Sequence, residues 1–168
     1  MIKVIGRNIL RFILLVMVQV MVFNNIELSG YMNPYIYILF IILLPFETPV
    51  WICLLLGFFL GLSIDIFTET IGMHTAATVF IAYIRPYILS SFAPRDGYES
   101  GTYPRVFYYG LPWFVKYVSL LVVAHHLVLF YIEMFRFHDF FSTLLRVILS
   151  SLFSIVLIVI SQFFVFRK

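Results

Sequence analysis

"GFFLGLSIDIFTETIG", residues 57–72, puts two glycines and an acid on one line of an otherwise apolar run. Gly57, Gly61 and Asp65 are spaced i, i+4, i+8, so in a helix they share one face. Glycine weakens a helix and a carboxylate is costly in lipid, so each needs a reason. Gly57-Phe58-Phe59-Leu60-Gly61 is a small-xxx-small pattern, which lets a second backbone approach closely where association relies on packing and interhelical hydrogen bonds. Asp65 either lies on that contact face, turned into the bundle, or marks the membrane exit shortly before Phe67. Thr68, Glu69 and Thr70 then make a short turn and Gly72 precedes the next run, with His74 in its first turn. The third and fourth helices are therefore expected to be antiparallel neighbours.

The rest of the chain explains why lipid is the solvent. Of 168 residues, 63% are hydrophobic and only 11% charged, with a mean hydropathy of +1.06. Soluble domains carry about 25% charged residues, so too few polar side chains remain here to cover a water-facing surface. One integral membrane domain over 1–168 is expected. Its fold class is all-α, a polytopic six-helix transmembrane bundle, with helices over about 9–28, 31–46, 50–67, 73–92, 111–134 and 140–166. Lys3, Arg7 and Arg11 ahead of an apolar run imitate a signal peptide, but "FNNIEL" offers no small-residue cleavage site, so an uncleaved first helix is the reading.

The second segment is the short one. Pro34 to Phe46 gives about 20 Å of helix against a hydrocarbon core of about 30 Å. It needs Tyr31 to help span, or it tilts, thins the bilayer or re-enters. Pro34 suits a helix start, and Pro45 and Pro49 bracket a turn around Glu47.

Basic residues set the orientation. With the N-terminus inside, Lys3, Arg7, Arg11, Arg85, Arg95, Arg105, Lys116, Arg167 and Lys168 fall on the cytoplasmic side and only Arg136 and Arg146 outside, nine against two. That asymmetry predicts six crossings with both termini cytoplasmic. Glu27, Glu69, Glu133 and Asp139 fall outside, which the rule does not weigh. "YPRVFYYGLPWF", 103–114, reads as an aromatic belt at headgroup depth.

Catalytic motifs are missing. There is no paired-aspartate site, zinc helix, nucleophile elbow or phosphate loop, and no basic stripe for nucleic acid. Cys53 stands alone in an apolar run, so no cofactor or metal is expected. His125 and His126 lie mid-membrane, where ionisable residues are functional candidates. Neighbouring helical positions point about 100° apart, which disfavours one shared metal. A neutral imidazole can instead bond a Ser, a Tyr or a backbone carbonyl.

"GFFLGLSIDIFTETIGMHTAATVFIAYI" resembles the signature region of the MreD family, rod shape-determining membrane proteins of bacteria. Gly61, Asp65, Gly72 and Ala76 or Ala77 carry the resemblance, which spans about residues 55–85; elsewhere only length and hydropathy agree. The resemblance implies a non-enzymatic component of cell elongation in the bacterial cytoplasmic membrane. Its partners would be an MreC-like single-span protein, MreB filaments, and a glycosyltransferase and transpeptidase of peptidoglycan synthesis. It also implies a fold like the substrate-binding subunit of energy-coupling-factor transporters. Two functions stay open. One is a scaffold that docks a partner through a small-residue groove, with Gly57, Gly61, Asp65 and Gly72 as a packing face, either within the bundle or against the partner. The other is a small-molecule, vitamin-type binding subunit with Asp65, Glu69 and His74 lining an external pocket.

Overall fold

A computed structural model describes residues 2–25, 32–134 and 140–165. Expectations resting on Glu27, Tyr31, Arg136, Asp139, Arg167 and Lys168, and on the side chain of Lys3, lie outside what is described. The described chain is all-α. Its helices are α1 (Ile2–Met21), α2 (Leu39–Ile42), α3 (Val50–Thr68), α4 (Met73–Ser91), α5 (Val106–Tyr109), α6 (Leu111–Met134) and α7 (Phe140–Val165). Among the described residues four stretches are long and apolar enough to cross a membrane: Gly6–Asn25, Val50–Thr68, Leu111–Met134 and Phe140–Phe164. Helix α4 is as long as α3, but His74, Arg85 and Pro86 dilute its hydrophobicity.

Helix boundaries follow local chemistry. Helix α1 stops at Met21, before the expected end near 28, and gives way to a 3-10 turn, Phe23–Asn25. The Asn25 amide donates to the carbonyls of Val20 and Met21, meeting acceptors a helix end leaves open. Helix α3 starts after Pro49, whose extended backbone precedes the first turn. It ends at Glu69, whose left-handed φ of 55° lets the backbone N–H groups of Glu69 and Thr70 both return to the Asp65 carbonyl. Helix α6 occupies the span the apolar run predicts, and the four-residue α5 ahead of it was not anticipated.

The expected helix over 31–46 does not form. Within it only Leu39–Ile42 is α-helical, and Pro34 sits in a non-helical approach rather than at a helix start. Yet this is the best-buried piece of the molecule, since every side chain from Tyr37 to Leu44 is inside. Helices α3, α4, α6 and α7 pack in chain order, α1 lies beside α3, and the segment threads between them. Irregular backbone survives away from water only if protein groups satisfy it, and the bundle supplies them. Gln19 of α1 accepts from Ile36 N–H (2.8 Å) and donates to Pro34 O (3.1 Å). On the α7 side, Ser150 and Ser154 hydroxyls accept from Asn33 and Tyr35 N–H, both at 3.0 Å. Tyr117 of α6 donates to Ile42 O (3.1 Å), and Arg11 of α1 to Leu43 O (3.3 Å).

The aromatic belt divides. Phe107 and Tyr108 are exposed, as headgroup residues are. Tyr109 and Trp113 turn inward with Tyr98 onto Phe46, which stacks on Tyr98 at 4.1 Å between ring centres. Half of the belt is thus a plug under the bundle.

Candidate functional site

The opening stripe meets helix α4. A Cβ placed on Gly57 would stand 3.0 Å from Thr78 O and 3.1 Å from the Ala82 methyl. One on Gly61 would collide with Thr78 Oγ1 and the Thr75 backbone, with Thr75 N at 2.6 Å. The glycines let the two helices close to backbone contact, and Thr78 seals the seam by donating to Gly57 O (2.8 Å). Of the two readings of this face, packing within the bundle is the one realised: the chain's own next helix occupies it.

Asp65 completes the same seam. The N-cap of helix α4 is Gly72, which has no side chain to satisfy the first N–H groups. Asp65 does so from the neighbouring helix: Oδ1 accepts from His74 N–H (3.0 Å) and Oδ2 from Thr75 N–H (2.9 Å). These are the second and third helical positions, where an N-cap side chain normally bonds. The Thr70 and Thr75 hydroxyls add two bonds at 2.6 Å. A carboxylate at a helix N-terminus also meets the favourable end of the helix dipole. Asp65→Asn replaces one acceptor oxygen with a donor facing donors, and a loss of about 2 kcal/mol is expected. Denaturant unfolding of the detergent-solubilised protein measures it, with Asp65→Glu as the charge-retaining control.

Gly72 has a φ of +75° with open space around it, so its role is conformational rather than steric. Glu69 is exposed, and His74 is buried and turned inward. Asp65 bonds the His74 backbone N–H, but the two side chains turn to different partners, and the exposed Glu69 side chain does not line a pocket with them.

What His74 meets is a polar chain that sequence reasoning left unassembled. Tyr37 Oη lies 2.8 Å from His74 Nδ1 and 2.8 Å from His125 Nε2. A hydroxyl donates once, so one ring accepts from Tyr37 and the other donates to it. His125 Nδ1 is buried without a partner. The tautomer that leaves only a bare lone pair there has His125 Nε2–H donating to Tyr37 and Tyr37 donating to His74. His126 points elsewhere: its Nδ1 meets Val122 O (2.8 Å), and Ser154 lies 3.3 Å from its Nε2. The Tyr35 ring packs against all three imidazoles. Among the described residues no group of three His, Cys, Asp or Glu side chains could hold a metal ion. Tyr37→Phe removes the bridge from both rings, and a stability loss of about 1–2 kcal/mol is expected. The same unfolding titration reads it.

Arg85 is the second group that sequence reasoning misplaced. The charge pattern puts it on the cytoplasmic side, but it is 2% exposed, inside the bundle. Its Nε donates to Tyr117 Oη (3.0 Å), its Nη2 to the carbonyls of Leu44 and Pro45, and its Nη1 faces Cys53 Sγ at 3.9 Å. A cation here serves backbone carbonyls freed where α2 breaks off. The available signal was its position, thirteenth in a nineteen-residue helix and just before Pro86.

Compared with family models, with curated proteins and with solved structures, the chain matches none.

Proposed function

We propose that this chain is a non-enzymatic scaffold of the bacterial cell-elongation machinery, resident in the cytoplasmic membrane. It binds an MreC-like single-span partner and helps organise lateral peptidoglycan synthesis alongside MreB filaments and the wall-building glycosyltransferase and transpeptidase. The resemblance of residues 55–85 to MreD proteins motivates this reading. The observation that carries it is how the polar interior is used. Asp65 caps α4, while Arg85, Gln19, Tyr117, Ser150 and Ser154 hold the backbone of 33–45. Interior polarity committed to holding a shape supports a protein that works through its outer surface.

In this reading the chain crosses six times, and segment 32–49 is a broken second crossing with both termini cytoplasmic. Taking the buried Arg85 out of the nine leaves eight basic residues against two. The partner surface is the lipid-facing side of the spans, because α4 fills the glycine seam. Exposed Phe58, Phe59 and Ile66 on α3 are candidate contacts.

The test is co-purification from membranes with the candidate single-span, coiled-coil protein, together with cell shape after depletion. A retained complex and rounding cells are expected. No complex and unchanged shape reject the reading. One feature favours the small-molecule alternative: the unpartnered, buried Nδ1 of His125. A vitamin-type ligand bonding that atom would co-purify with the wild type and be lost with His125→Phe.

A further inference from the structure

Three guanidiniums gather at the N-terminal end of α1. Arg7 and Arg11 stand one turn apart, and Arg105 reaches the same corner from the residue preceding α5. Arg7 donates to Tyr103 Oη (2.7 Å). The guanidinium carbons of Arg7 and Arg105 lie 5.2 and 5.1 Å from the centre of the Tyr103 ring, so two cations lie against one aromatic ring. Burial, then the charges of Arg11 and Arg7, push the Arg105 guanidinium below its ordinary value. Like charges held this close create a strong positive potential, which an anion relieves.

Beside this corner lies an apolar groove of about 650 Å³ between α1 and the start of α3. Phe12 and Phe40 line one side, Ile52 and Leu56 the other, and Asn8 stands at the end near the arginines. Arg11 joins the two features, since its Nη1 donates to Asn8 Oδ1 (3.4 Å) and to Leu43 O (3.3 Å). Among the described residues lining the groove Glu47 is the one acid, and it is exposed. A flexible hydrocarbon chain can lie along such an apolar groove beside a cationic corner.

We propose that this corner binds an anionic glycerophospholipid, its phosphate held by Arg7, Arg11 and Arg105 and one acyl chain laid in the α1–α3 groove. Arginine suits the headgroup because its planar fork meets phosphate oxygens in pairs. Basic pockets beside membrane helices recognise anionic headgroups by this chemistry. The site is independent of the scaffold reading and stands or falls without it.

The experiment uses the full chain in nanodiscs of phosphatidylcholine, with and without phosphatidylglycerol, and native mass spectrometry of the detergent-released protein. Phosphatidylglycerol is expected to be retained in preference to phosphatidylcholine and to raise the unfolding temperature. Arg7 is exposed, so Arg7→Gln tests the site without burdening the fold, and affinity should fall about fivefold. Arg7→Gln with Arg105→Gln should abolish the preference; if that pair does not fold, the single variant decides. Ile52→Trp, which fills the groove, should lower retention while leaving the arginines intact. Equal retention of both lipids, or a preference unchanged by Arg7→Gln, overturns the proposal. So does stabilisation by inorganic phosphate alone, which would mean a free-anion site. Cross-linking of Ile52→Cys to another protein whatever the lipid also overturns it, since the groove would then seat a partner.

Discussion

Arg85→Met should destabilise the bundle by about 3–5 kcal/mol, since it leaves two or three buried acceptors unmet at about 1–3 kcal/mol each. The side chain is nearly the right volume, so the loss is polar rather than steric. The carbonyls of Leu44 and Pro45 and the Tyr117 hydroxyl each lose a donor in a setting with no water to replace it. Arg85→Lys should recover part of the stability, because one ammonium can reach a carbonyl but cannot serve several directions as a planar fork does. Two measurements read the result. One is the denaturant midpoint in mixed micelles. The other is the rate at which Cys53, buried 3.9 Å from Arg85 Nη1, reacts with a thiol reagent. Slow labelling in the wild type and fast labelling in Arg85→Met would locate the damage at the 42–53 corner. An unchanged midpoint with unchanged labelling would mean that the carbonyls have other donors.

Gly61→Leu should cost about 3 kcal/mol or more and separate α3 from α4. Overpacking by a methylene or two costs about 1–3 kcal/mol where side chains can give way. Here the Thr78 hydroxyl is nearest and the Thr75 backbone stands directly behind it, and backbone cannot rotate aside. Gly61→Ala should already be damaging. Gly57→Ala should be milder, because its tightest neighbours, Thr78 O and the Ala82 methyl, stand at 3.0 and 3.1 Å. Gly72→Ala meets open space and should lose only about 1 kcal/mol for its left-handed backbone. The order 61, then 57, then 72 separates a seam within the hairpin from a partner-docking stripe. A disulfide between cysteines placed across α3 and α4 should form readily in the wild type and poorly in Gly61→Leu. If Gly61→Leu folds with wild-type stability and loses only a binding partner, the seam as described is wrong.

Much of the architecture was legible in one dimension. Run lengths and hydropathy located α3, α4, α6 and α7 to within a residue or two, because a continuous apolar helix satisfies its own backbone bonds. The turn at 68–72 was readable from its glycine and threonines, since a sharp reversal is a local property. The glycine spacing announced a close approach, though not what would approach.

The expected helix at 31–46 failed for the opposite reason. Its non-helical backbone is held by Gln19, Ser150, Ser154, Arg85 and Tyr117, residues far away in the chain. Periodicity within the segment carries no trace of donors and acceptors lent from elsewhere.

By itself, then, the sequence determined the solvent, the long spans and the hairpin, all set by local hydrophobicity and local turn chemistry. Tertiary structure alone decided that α4 fills the glycine face and that Asp65 caps a helix other than its own. It alone turned Arg85 inward onto broken backbone and joined Tyr37 to two histidines. Each of these depends on which polar groups meet across the bundle, where a buried donor or acceptor must find its partner in the protein because the bilayer offers none.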